Sequence, residues 1–149
     1  MGPAGAAIYT GIYLNHDTGL IADKLAGLLG RNKTILEIGC GSGNFTLLMA
    51  QYSQQILGLD FSPAMLAVLE ERRLAEGIGN IRTQAGKWED FTTDAVFDYI
   101  VSVNSLYRIR DIKSALLKMH AYSNPGLYHR QNYPAAVLFT AFIRKTACP

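Results

Sequence analysis

The stretch Ile35–Phe45, ILEIGCGSGNF, decides how the rest of the chain is read. An apolar run carries a carboxylate, Glu37, near its end and is followed by Gly39, Gly41 and Gly43 at alternate positions. Glycine admits positive φ and removes the Cβ that would hold a ligand away from the backbone. A tight strand-to-helix turn built this way is expected to present N–H groups to a bound molecule. A dinucleotide fingerprint, G-x-G-x-x-G, needs its third glycine at position 44. Asn44 stands there, and the third glycine comes one residue early. Glu37 would also face a pyrophosphate with like charge, whereas a carboxylate suits a ligand that carries an ammonium group.

Outward from this loop, strand and helix signals alternate. Upstream, Asp17 or Thr18 can cap a helix whose apolar stripe is Ile21, Leu25, Leu28 and Leu29, with Gly30 as its stop. KTILEIG reads as a short buried strand and NFTLLMAQY, from Asn44, as a helix. QQILGLD is a second strand, ending at Asp60. The next helix has Ser62 as N-cap, Pro63 at its first position and Gly77 just past its end. NIRTQ is a weaker strand, Phe97–Val103 a strong one, and Asp111 can cap a helix through Ile112, Leu116, Leu117 and Met119. After the turn signal at Asn124-Pro125-Gly126, AAVLFTAFI is a final candidate strand. The connections are too long for hairpins. The alternation therefore predicts one α/β domain over residues 1–149, a doubly wound, mostly parallel sheet of about five strands with helices on both faces. Ligands in such sheets bind outside the carboxyl ends of the strands, where the strand order reverses.

Asp60 is the second anchor. It ends the second strand 21 positions after Gly39, close to where an acid accepts both ribose hydroxyls in nucleoside-binding α/β folds. The combined demand is for a nucleoside with a free ribose, a positive amino group and no pyrophosphate. S-adenosylmethionine (SAM) meets it.

Glu37-Ile38-Gly39-Cys40-Gly41-Ser42-Gly43, Asp60-Phe61-Ser62-Pro63-Ala64-Met65-Leu66 and Phe97-Asp98-Tyr99-Ile100-Val101-Ser102 resemble successive motifs of class I SAM-dependent methyltransferases. The resemblance runs from about Leu20 to Met119 and is closest to the small-molecule branch. It implies a Rossmann-like sheet, SAM as cofactor and a small-molecule methyl acceptor. It further implies that Glu37 and the backbone of Gly39, Cys40, Gly41 and Gly43 hold the methionine part, and that Asp60 holds the ribose. Phe61 would flank the adenine, Lys87, Trp88 and Glu89 would close over its edge, and Asn104 would sit beneath the cofactor near the acceptor. Gly86 stands where relatives often carry an acid near the adenine amino group, so backbone is expected to make that contact. The family sheet usually has seven strands, the last two an antiparallel hairpin; here the sequence is read as lacking those two.

Each of these residues also has a plainer reading: Glu37 as the cap of a neighbouring turn, Asp60 as a support for the Ser62-Pro63 helix start, Phe61 and Trp88 as core. Lys87 and Glu89 could be surface charges, and Cys40 reads as a small loop residue rather than a nucleophile. Methyl transfer from a sulfonium is an in-line displacement, so positioning can carry much of the catalysis. His16 and Tyr107 are candidates for a base if the acceptor must lose a proton, Tyr9 and Tyr13 could cover the pocket or pack on the sheet, and no catalytic residue is assigned.

With 149 residues, 49% of them hydrophobic, the chain suits one globular domain with its own core. No apolar run approaches the roughly 18–20 residues of a membrane span. The start, MGPAGAAIYTG, lacks the features of a secretory signal. The two cysteines, Cys40 and Cys148, suggest neither a disulfide framework nor a metal site, and a cytoplasmic setting is expected. Charge is uneven: residues 1–107 carry 7 Lys and Arg against 11 Asp and Glu, and residues 108–149 carry 7 against 1. Without an aromatic–basic nucleic-acid motif, the basic end reads as a solvated face and nucleic acid is not expected as a partner. An apolar last strand at an open sheet edge would favour a homo-oligomer. Besides the small-molecule methyltransferase, two readings stay open: a catalytically incomplete SAM-binding or scaffold protein, and a NAD-dependent oxidoreductase, which Glu37 and Asn44 disfavour.

Overall fold

A computed structural model of the chain describes the backbone of residues 16–103, 105–124 and 137–140, with side chains at 20, 23–103 and 105–124. In chain order these form α1 (His16–Leu29), β1 (Thr34–Ile38), α2 (Thr46–Ala50), β2 (Gln55–Asp60), α3 (Pro63–Ala75), β3 (Ile81–Ala85), β4 (Tyr99–Val103), a 3₁₀ turn (Leu106–Arg108), α4 (Ile112–Tyr122) and β5 (Val137–Thr140). All four neighbouring strand pairs are parallel, in the order β3-β2-β1-β4-β5. Strand order thus reverses between β1 and β4, at the end of the ILEIGCGSGNF strand. The last candidate strand is observed over Val137–Thr140; Pro125 and Gly126 of the turn before it, and Tyr9, Tyr13 and Asn104, lie outside the described residues.

Alternation along the strands divides the core in two. Ile35, Ile56, Ile81, Val101 and Val103 pack with Leu25 and Leu29 of α1, Leu47 and Met49 of α2, and Leu66 and Leu69 of α3. Leu36, Ile38, Leu59 and Ile100 pack on the other face with Ala115 and Met119 of α4 and with Trp88, Phe91 and Phe97. Burying both faces is what near-continuous apolar strands require. The strand starts are tied by Asp98, which accepts from the Thr34 N–H at 2.9 Å, the Thr34 hydroxyl at 3.2 Å and Asn124 Nδ2 at 3.2 Å. That residue of the third motif therefore serves the amino-terminal edge of the sheet, opposite the glycine loop.

Four element-level expectations are corrected. α1 already includes His16, so Asp17 and Thr18 lie inside the helix rather than capping it. α2 is a single short turn from Thr46, and its N-cap, Phe45, supplies no side-chain hydrogen bond. β4 starts at Tyr99, because Phe97 leaves it to make an isolated bridge with Ser123. Leu28, Ile112 and Leu117 are exposed rather than part of their helices' buried faces. Among the described residues no helix is long and apolar enough to cross a membrane.

Candidate cofactor site

The turn after β1 is built from inside. The N–H groups of Gly39 and Cys40 both donate to the Leu59 carbonyl, at 2.7 and 3.2 Å. The Gly41 N–H donates to Asp60 Oδ2 at 2.9 Å, and the Gly43 N–H to the Cys40 carbonyl at 3.0 Å. These four donors are committed to protein acceptors, which corrects the expectation that they face a ligand. Donors turned inward in this way are not offered to a phosphate as those of a phosphate-binding turn are. The loop can face a ligand that brings donors of its own.

Two of the glycines make room for protein. Gly39 has φ 74°, and a Cβ there would overlap Ser105. The Ser105 hydroxyl donates to the Ile38 carbonyl at 2.7 Å and touches the Ser102 hydroxyl, closing the β1–β4 crevice at its base. Gly43 has φ 86°, and a Cβ there would overlap Leu69 of α3. Arg72 of α3 fixes the same turn, donating from Nη1 to the Ser42 carbonyl at 2.7 Å and to Asn44 Oδ1 at 2.9 Å. The residue that broke the dinucleotide fingerprint thus has a partner across the loop. Cys40 points into the core against Gly58, and burial, with Glu37 and Asp60 nearby, pushes its thiol well above the usual range. It contributes neither side chain nor N–H to the cavity.

A cavity of about 530 Å³ opens at the carboxyl ends of β1 and β2 and along the segments after β3 and β4. Its size falls in the range of about 300–1,000 Å³ that small-molecule sites occupy. Of the residues singled out from the sequence, Gly39, Gly41, Asp60, Phe61, Lys87, Trp88 and Glu89 line it. Glu37, Cys40 and Gly43 do not. Gly86 lines it as well, and its N–H is held by the Asp60 carbonyl at 2.9 Å.

Asp60 sits at the floor, buried, with Oδ2 held by Gly41 and Oδ1 by the Ser62 N–H at 2.8 Å. A carboxylate has about four acceptor positions. Two backbone donors therefore orient it and leave capacity for two hydroxyls. Trp88 lines the cavity and also packs in the core, its ring 5.7 Å from Phe91 and 6.0 Å from Tyr122. Lys118 sits 4.8 Å above that ring and donates to the Trp88 and Glu89 carbonyls, fixing this wall. Trp88 Nε1 is buried without a protein partner.

Glu37 lies behind the loop, on the α1–α2–α3 side. It is buried and accepts from the Thr46 hydroxyl at 2.5 Å. Burial pushes its carboxyl up to about 8, with the Thr46 hydrogen bond opposing and the Asp60 charge reinforcing the rise. The structure brings it to the first turn of α2, so its plainer reading as a support for that turn has a physical basis.

Sequence reasoning missed Met65, Ser105, Arg108, Ile109 and Arg110, all of which line the cavity. The segment after β4 follows the carboxyl end of a central strand, so the rule that directs attention to β1 and β2 applied there equally.

Fold and site define an open, doubly wound α/β protein with a nucleoside-sized cleft at its switch point. Comparisons with known proteins narrow the class. A family model for a methyltransferase domain matches residues 29–145, and the chain belongs to that family. It is similar to demethylmenaquinone methyltransferase of Geobacillus kaustophilus, 30% identical over 100 residues, covering 64% of this chain and 43% of that protein. It is also similar to ubiquinone biosynthesis O-methyltransferase of Pseudomonas paraeruginosa, 30% identical over 105 residues, covering 70% and 44%. The chain thus spans less than half the length of these relatives. Among solved structures it resembles the DhpI–SAH complex, with TM-score 0.71, 21% identity and coverage of 83% and 61%. It also resembles the N-terminal domain of EvdMO1 with SAH bound, with TM-score 0.68, 25% identity and coverage of 76% and 49%.

Proposed function

We propose that this chain binds SAM in the 530 Å³ cavity and serves transfer of its methyl group to a small-molecule acceptor. The observation that carries the reading is the direction of the glycine-loop hydrogen bonds together with Asp60. The N–H groups of Gly39, Cys40, Gly41 and Gly43 are turned away from a pyrophosphate, while an oriented carboxylate waits for paired hydroxyls. The residues present fit such a cofactor. Gly39 and Gly41 bring bare backbone to the cavity, Asp60 would take the ribose hydroxyls, and Phe61, Gly86 and Trp88 would border the base. The bound cofactor would supply an already activated methyl on its sulfonium. The chain's own contribution is to orient and to exclude water: Ile38, Leu59, Met65 and Trp88 provide apolar walls, and Ser105 fixes the crevice base. The same inward donors weigh against the NAD-dependent reading.

Relatives acting on quinone precursors support a small-molecule acceptor as partner. A cytoplasmic setting and self-association along β5 belong to the same reading. Because the chain spans less than half of those relatives, cofactor binding and turnover are separate measurements. Calorimetry is expected to show binding of SAM and of its demethylated product, S-adenosylhomocysteine (SAH), and none of NAD. Asp60→Asn should weaken both sulfur nucleosides about 10- to 100-fold, the worth of hydrogen bonds to a charged acceptor. Failure of either to bind the unaltered chain would overturn the proposal.

A further inference from the structure

One wall of the cavity is braced from α4, a helix that contributes no residue to the lining. Gly86, Lys87, Trp88 and Glu89 form that wall. It is tied on one side by the Gly86 N–H, held by the Asp60 carbonyl at 2.9 Å. On the other side the tie is Lys118 of α4, whose Nζ donates to the Trp88 carbonyl at 2.7 Å and to the Glu89 carbonyl at 3.0 Å. Each carbonyl belongs to a planar trans peptide, so fixing it also fixes the N–H on its opposite side, at Glu89 and at Asp90. The ammonium also lies 4.8 Å from the centre of the Trp88 ring, close enough for attraction to the ring face. A buried indole usually anchors itself through its N–H. Trp88 Nε1 has no protein partner among the described residues, so the stack on Phe91, the edge contact with Tyr122 and the Lys118 ammonium orient the ring instead. Lys118 does not itself line the cavity, and among the described residues no carboxylate pairs with it.

Given the cofactor reading on which this step rests, we infer that Lys118 is a positioning residue: without touching the ligand, it acts through Trp88 and Glu89 to hold the base wall of the cavity in its binding shape before the ligand arrives. An ammonium has three donors, and two of them are committed to this wall. Holding a lysine in one conformation costs side-chain freedom. Here that cost falls on folding and not on binding. If the wall were loose, the ligand would have to order it, and the ordering would be subtracted from affinity. A brace that serves stability alone would leave affinity untouched, which separates the two roles.

Trp88 is the single tryptophan of the chain, so tryptophan emission and its quenching by acrylamide report on this wall. The test compares the full chain with Lys118→Met, which keeps a long apolar stem and good helix propensity while removing the donors and the charge. Lys118→Arg keeps donors and a cation over the ring. Lys113→Met removes an exposed cation from the same helix and serves as the control. In the unaltered chain quenching is expected to be weak and to change little when SAH binds. In the empty Lys118→Met chain quenching should rise, SAH should bind about 3- to 10-fold more weakly, and saturating SAH should return quenching to the unaltered level. Lys118→Arg should keep most of the affinity, and Lys113→Met all of it. Unchanged SAH affinity in Lys118→Met would overturn the inference. So would weaker binding with no rise in quenching, or an equal loss in Lys113→Met. If SAH does not bind the unaltered chain, the cofactor reading falls, and quenching of the empty chains still decides whether Lys118 holds the wall.

Discussion

At the residue scale, Glu37 carries the sharpest consequence. Its carboxyl, near 4.5 when exposed, is pushed up to about 8 by burial. The folded chain therefore holds a proton that the unfolded chain releases between those values. Stability contributed by that proton is present below the lower value and is lost as pH rises through the higher one. Glu37→Gln keeps an acceptor for the Thr46 hydroxyl and removes the charge. Thermal unfolding should give similar midpoints for both proteins near pH 5. Above pH 8 the variant should be the more stable, by up to a few kcal/mol at about 1.4 kcal/mol per unit of displacement. The role toward an ammonium group that the family resemblance implies predicts the opposite sign for binding, with SAM affinity falling in the same variant. Higher stability with unchanged affinity would leave Glu37 as a support for α2 alone.

At the scale of elements, the third glycine is explained by a helix and not by a ligand. Gly43 combines left-handed backbone with close approach of Leu69, whose side chain is fully buried in α3. Gly43→Ala should cost about 2–4 kcal/mol in urea unfolding, from strain and overlap together. Leu69→Ala should cost about 2–5 kcal/mol by opening a cavity. The double variant should fall short of the sum by about 1 kcal/mol or more, because the new methyl enters space that the leucine vacates. Additive losses would show that the two do not share that space. The spacing of Gly39, Gly41 and Gly43 was plain in the sequence, as were the strands around them and the Ser62-Pro63 start of α3, whose N-cap hydroxyl accepts from the Met65 N–H. What the sequence could not show was where the loop donors point, since that depends on Leu59 and Asp60 across the sheet. Nor could periodicity show that Leu28 and Leu117 stay uncovered, because an apolar stripe records composition and not which neighbours arrive to bury it. Asp60 was legible from its position at a strand end; Arg108 and Arg110 were not, because exposed arginines look alike until a fold sets them around a cavity.

For the whole molecule, strand order separates the site from the edge. The cavity opens at β1 and β2 and their neighbouring loops, whereas β5 lies two strands from β1, beyond β4. Among the described residues β5 is the outermost strand on that side, with β4 as its only strand partner. A strand in that position offers a row of backbone donors and acceptors to another chain. Self-association is therefore expected to proceed along β5 and to leave the cavity open. Sedimentation velocity over a range of concentrations should show the 149-residue chain moving from one copy to two or more as concentration rises. SAM affinity measured at the two ends of that range should agree, because the pairing edge and the cofactor cleft share no strand. A single-copy species throughout would remove the edge as an interface. Affinity that climbs with association would instead mean that a second chain completes the site.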